Sequence, residues 1–143
     1  MTRHASFTFL LGALLAFSAP ASAELVVVVN ARAGVAAMSR NEIANIFLGR
    51  YRAFFNGLEA EPVELEDSNP DRGRFYQLLI GKSLSEINAY WSRQTFTGGG
   101  RKIARAATGD EVLRWVASHA GGIGFMDSSK VDARVRVVYQ LEP

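Results

Sequence analysis

The chain contains no cysteine and only two histidines in 143 residues. The first absence rules out disulfides, thiol nucleophiles and cysteine-ligated zinc or iron–sulfur centres. The second leaves His4 near the start and His119 far along the chain, too few for a multi-histidine metal site. Charge of one sign is also scarce in excess. Sixteen basic and fourteen acidic residues give a formal net charge of +2, and acids and bases alternate instead of clustering. That pattern excludes the polybasic patch of a nucleic-acid binder. No internal repeat, low-complexity tail or linker divides the sequence.

A long uncharged apolar run, Ala5–Phe17, stands behind Arg3 and His4. A comfortable membrane span needs about 20 apolar residues, more than this run supplies. Ala21-Ser22-Ala23 follows, the small-x-small pattern of a signal peptidase site. The expectation is a signal peptide over 1–23, cleavage after Ala23, export to the periplasm and a single domain over 24–143. An exported domain without disulfides depends on its hydrophobic core alone.

From Glu24 onward, strand and helix signals alternate. "ELVVVVN" is a β-branched run of the kind found in strands buried on both faces. "SRNEIANIFLG" reads as a helix with Ser39 as N-cap, Glu42 closing a capping box and Gly49 ending it. "EPVELE" (Glu61–Glu66) reads as a strand, and "PDRGRFYQLLIG" as a helix with Phe75, Leu78 and Leu79 inward. A further helix starts at Ser83, with Leu84, Ile87 and Trp91 along one side, and another at Thr108 or Asp110. "IGFM" and "VRVVYQL" are two more strands. Strands separated by helices predict an α/β fold: one three-layer domain with a mostly parallel mixed sheet flanked by helices.

Motifs for catalysis are missing. "IGKS" carries the last letters of a nucleotide-binding P-loop, but Tyr76 stands where the loop needs glycine, and the segment ends a helix instead of opening one. Ser118-His119 closes a helix, and no G-x-S-x-G elbow presents a nucleophile. Neither an enzyme nor a cofactor is expected. "TGGGRK" (Thr97–Lys102) is open to two readings, a phosphate cradle or a mobile connection. "RYRAFFNG" offers Tyr51, Phe54 and Phe55 either to a partner or to the underside of the domain.

The informative stretch is "LEDSNPDRGRF", Leu65–Phe75. Asn69 suits an N-cap, Pro70 the first helical position and Asp71 the positive end of the helix dipole. The same geometry leaves main-chain N–H groups for an anion, with Asp67, Ser68, Asn69, Asp71 and Arg72 around it. Both readings fit the spacing.

Three segments together resemble the phosphate-binding proteins of ABC importers, which have the type 2 periplasmic binding fold. "MSRNEIANIFLGR" resembles their L-s-r-e-x-x-a-x-I-F-l-G-k segment, "VELEDSNPDRGRF" stands in the place of their anion loop, and "EVLRWVASHAGGIGFMDSS" resembles their G-A-I-G-Y region. The resemblance implies one lobe of such a protein, binding a small anion, phosphate first, in connection with transport or sensing. It implies that Asp67 accepts a hydrogen bond from a protonated phosphate and that Asn69 donates one. The family loop reads Arg-x-Asp-Gly-Ser-Gly-Thr; here Leu65 replaces the arginine, Pro70 a glycine with its N–H, and Asp71 a threonine. Arg72 or Arg74 then has to supply the missing positive charge. The opposite wall would come from a second lobe on another chain. The alternative is a non-catalytic interaction module that contacts an ABC permease or membrane sensor, with ligand binding weak or lost.

Overall fold

Val26, Val27, Val28 and Val29 have almost no exposed surface, because their strand β1 (Leu25–Asn30) lies inside the sheet with a neighbour on each side. The computed structural model describes residues 13, 24–98 and 103–142. The expected signal peptide and residues 99–102 of the glycine run lie outside them, Ala13 apart. The elements after β1 are α1 (Arg40–Phe47), β2 (Glu61–Leu65), α2 (Pro70–Ile80), α3 (Leu84–Phe96), β3 (Ala104–Ala106), α4 (Gly109–Ser118), β4 (Gly122–Asp127) and β5 (Val135–Gln140).

The strands form one open sheet in the order β3-β2-β4-β1-β5. β2 pairs in parallel with both β3 and β4, whereas β1 runs antiparallel to β4 and β5. Four strands therefore point one way and β1 the other. The valine run of β1 reports burial on both faces and not strand direction.

Strand β4 shows how the layers are built. Its side chains alternate faces, as the two-residue period of a strand requires. A Cβ added to Gly124 would lie 2.7 Å from Val112 Cγ1, and one added to Gly122 would lie 2.7 Å from Val116 Cα. Glycine at both positions lets α4 settle directly on this face. Phe125 points the other way and stacks on Phe75 of α2 at 3.8 Å between ring centroids, with Phe47 of α1 edge-on to both. Helix α4 thus covers one face, and α1 and α2 the other.

Local sequence sets the helix ends as expected. Ser39 and Glu42 form the reciprocal capping box of α1. Ser83 Oγ accepts from the Glu86 amide, while the Glu86 carboxylate pairs with Lys82 at 3.5 Å. Gly81 ends α2 at φ 66°, a left-handed conformation that costs a glycine little. Gly73, inside α2, lies where a Cβ would touch Leu84 at 3.4 Å, so its absence admits the start of α3. Of the expected inward face of α3, only Ile87 is fully buried; Leu84 and Trp91 are half-buried. Helix α4 ends without a glycine cap. The chain leaves it at His119 in an extended conformation, before Gly121 and Gly122, and Asn30 Nδ2 donates to the carbonyls of Val116, Ala117 and His119. Among the described residues no helix is long and apolar enough to cross a membrane.

Candidate functional site

Two strand-to-helix junctions lie side by side at the carboxyl end of the parallel strands. One joins β2 to α2, the other β3 to α4. Main-chain and side-chain bonds lock them together: the Glu66 amide donates to Ala106 O at 3.0 Å, and Asn69 Nδ2 to Ala107 O at 3.2 Å. Both helices therefore present their positive ends in one place. In open α/β sheets this is where ligands bind.

Part of that donor capacity is already used. Asn69 Oδ1 accepts from the Asp71 amide at 3.0 Å, Asn69 O accepts from the Arg72 amide at 3.1 Å, and Pro70 has no N–H. At the second junction Thr108 Oγ1 accepts from the Glu111 amide, and the Glu111 carboxylate accepts from the Ala107 amide at 2.8 Å. The helix-start reading of "DSNPD" thus describes real contacts. Asp67 and Ser68 remain exposed at the mouth, and the Ser68 hydroxyl makes no hydrogen bond among the described residues.

Beneath the mouth lies a ring of four charges. Arg72 of α2 and Glu64 of β2 are fully buried; Asp67 is 60% exposed and Arg105 of β3 45%. Arg72 Nη1 reaches Asp67 Oδ1 at 2.9 Å and Arg72 Nη2 reaches Glu64 Oε1 at 3.3 Å. Arg105 closes the ring, with Nη1 3.6 Å from Asp67 Oδ1 and Nη2 3.4 Å from Glu64 Oε1. Each carboxylate thereby faces two guanidiniums, and the ring is neutral overall.

Further contacts fix the buried half. Tyr76 donates its hydroxyl hydrogen to Glu64 Oε2 at 2.6 Å, and Arg72 Nη1 donates to Asn88 Oδ1 of α3 at 3.3 Å. The Arg72 guanidinium also lies 5.6 Å from the centre of the Tyr76 ring. Burial, and then the Glu64 carboxylate beside it, push the Tyr76 phenol well above its ordinary pKa. It stays a proton donor throughout the physiological range. Arg72 Nε has no acceptor among the described residues.

The residues marked from sequence divide between these two layers. Asp67 and Arg72 come together as an ion pair. Asn69 and the Asp71 amide form the helix cap, and Ser68 stands in solvent above them. Arg74 is half-buried, and its charge is among those that hold Asp127 below the ordinary carboxylate range, after the Ser129 hydrogen bonds and Lys130. Sequence reading passed over Arg105, Glu64 and Tyr76. A signal for Arg105 existed, since "ARAATGDE" repeats the order of strand, turn, capping residue and acid seen in "VELEDSNPD".

Nothing else in the described part of the molecule resembles a catalytic centre. His119 stacks on Trp115 at 3.7 Å with Nδ1 beside Trp115 O, at the far end of α4 from the ring. No group of three or more histidine, cysteine, aspartate or glutamate residues suited to a metal occurs among the described residues.

No family model matches the chain, and a comparison with curated proteins gives no significant match. Solved structures do match. A Vibrio cholerae ABC-type phosphate transport receptor superposes with a TM-score of 0.64 at 16% identity, over 81% of this chain and 46% of its own. PstS from Borrelia burgdorferi gives 0.61 at 10% identity, over 81% and 46%. A Clostridium perfringens protein described as a phosphate ABC transporter substrate-binding protein, solved with bound phosphate, gives 0.63 at 16% identity, over 81% and 44%. The chain spans less than half the length of each. The resemblance read from three sequence segments is therefore a resemblance of fold: this α/β sheet is built like part of the phosphate-transport binding proteins.

Proposed function

We propose that this chain binds a small oxyanion, phosphate first, without catalysis and without a cofactor, in connection with ABC-type transport or sensing. The observation that carries the reading is the pair of helix N-termini converging beside Arg105, in a fold whose solved relative from Clostridium perfringens holds phosphate. Arg105 turns from Asp67 to the oxyanion. Asp67, still held by Arg72 from beneath, accepts a hydrogen bond from a protonated phosphate oxygen. Ser68 donates through its hydroxyl, and Asn69 through the second hydrogen of Nδ2. The carboxylate of Asp71 disfavours a dianion here, so the monoanion is the preferred form. The place of action is the periplasm, reached through the cleaved segment 1–23.

Asp67 competes with the ligand for Arg105, and the mouth is open to water, where charge contacts weaken. Affinity in the isolated chain is accordingly low, and a second lobe from another chain would raise it. Isothermal titration of the purified protein with inorganic phosphate is the test. Heat is expected at millimolar phosphate or below, and much less with sulfate, which has no O–H to donate to Asp67. Absence of heat with phosphate, alone and with a partner lobe, rejects the reading.

One observation favours a second reading. Phe55 is 80% exposed and Tyr51, four residues before it, is also exposed, both on the connection from α1 to β2. Such a pair suits contact with a permease or membrane sensor. Phe54 is buried, so it belongs to the core and not to this surface. Loss of partner capture in Phe55→Ala, with phosphate binding absent in the parent protein, would favour the interaction module.

A further inference from the structure

An open groove of about 550 Å³ runs along α3 beside the charge ring. Asn88, Trp91, Ser92, Thr95, Phe96 and Arg105 line it. Two of these residues belong to both features: Arg105 closes the ring, and Asn88 accepts from Arg72 within it. The groove therefore begins where the proposed oxyanion would sit.

Its size and chemistry exceed what an inorganic oxyanion requires. Pockets for organic ligands span roughly 300–1,000 Å³ and combine apolar walls with a few polar groups. Here the apolar surfaces are two aromatic rings. Phe96, at the end of α3, is 94% exposed and has no burial to explain it. Trp91 is half-buried, with its indole N–H turned inward and without an acceptor among the described residues, so the ring face is the part it offers to the groove. Ser92 and Thr95 add hydroxyl groups one turn apart on the same helix.

We propose that the ligand is an organic phosphate monoester with an aromatic substituent. This rests on the oxyanion reading and names the substrate class of that site. The phosphoryl group lies on Arg105 at the ring. The aromatic group lies along Trp91 and Phe96, and oxygens on the ester side meet the Ser92 and Thr95 hydroxyls. Inorganic phosphate occupies only the first of these positions.

Titration with inorganic phosphate, phenyl phosphate and phenol, followed by tryptophan fluorescence and by heat, tests this directly. Phenyl phosphate should bind roughly tenfold more tightly than phosphate, the scale of one good aromatic contact, and phenol should not bind measurably. Phe96→Ala alters an exposed side chain and should bring the two affinities close together. Phosphate and phenyl phosphate binding equally in the parent protein would overturn the inference and leave the oxyanion reading standing. Phenol binding as tightly as phenyl phosphate would also overturn it. If neither phosphate compound binds, both readings fall together.

Discussion

Glu64 and Arg105 are register partners across the parallel ladder of β2 and β3, and the guanidinium of one lies 3.4 Å from the carboxylate of the other. The sheet itself therefore positions the ring: two neighbouring strands place a buried acid and a half-exposed base on the same face. Helix α2 then lays Arg72 against both acids.

Removing Arg72 should be severe. Arg72→Met leaves the Glu64 carboxylate buried with only Tyr76 and the half-exposed Arg105. Breaking a buried pair from one side costs about 3–5 kcal/mol, a large share of the 5–15 kcal/mol typical of a domain. The double variant Glu64→Gln/Arg72→Met removes the stranded charge and should recover part of that loss. Urea denaturation of the parent, both single variants and the double would measure the coupling. Additive effects would contradict the ring.

Tyr76 gives the ring a pH limit. Its folded pKa is raised, so the neutral phenol is the form that folding favours. The contribution is complete below the unfolded value of about 10 and declines as pH rises beyond it, because the unfolded chain releases the proton first. Tyr76→Phe should cost about 1–3 kcal/mol at pH 7 by leaving Glu64 one donor short. The gap between parent and variant should narrow between pH 9 and roughly pH 11. A gap independent of pH would show that the phenol does not matter through its proton.

One glycine of β4 and the glycine that ends α2 admit a sharper packing test. Gly124→Val would drive its side chain into Val112, Val63 and Val116. Overpacking of this kind costs about 1–3 kcal/mol, more where the backbone cannot yield. Gly81→Ala, in open space but at φ 66°, should cost about 1 kcal/mol through conformation alone. Thermal denaturation of both variants separates collision from backbone strain.

The fold was legible where local chemistry decides it. Ser39, Asn69, Ser83 and Thr108 cap helices because each side chain needs only an amide two or three residues ahead. β1 was visible as a strand, but its direction depends on partners roughly a hundred residues away, and no residue in "LVVVVN" records that. The site was half legible for the same reason. "DSNPD" announces a helix start and an anion seat in one vocabulary. The ring needs Arg105, about forty residues further on in a three-residue strand too short to show a period. "EPVELE" was legible only as a strand; that its Glu64 is a buried charge held by partners from α2 and β3 depends on contacts outside the strand.

Arg105 and Asp67 allow binding to be separated from folding. Both are partly exposed, so their mutual contact at 3.6 Å adds little stability, on the order of 0–1 kcal/mol for exposed pairs. Arg105→Ala should therefore stay folded, with a midpoint in urea close to the parent's, because Arg72 and Tyr76 still satisfy Glu64. Phosphate affinity should fall at least tenfold, since a charge-assisted contact of about 1.5–3 kcal/mol is lost. Arg105→Lys should recover only part of it, because an ammonium cannot grip two oxygens in one plane. Asp67→Asn pulls in two directions. It frees Arg105 for the oxyanion but removes the acceptor for a protonated phosphate oxygen, so sulfate should gain relative to phosphate. Titration of phosphate and sulfate into all three variants reads that ratio, and an unchanged preference in Asp67→Asn would remove Asp67 from contact with the ligand.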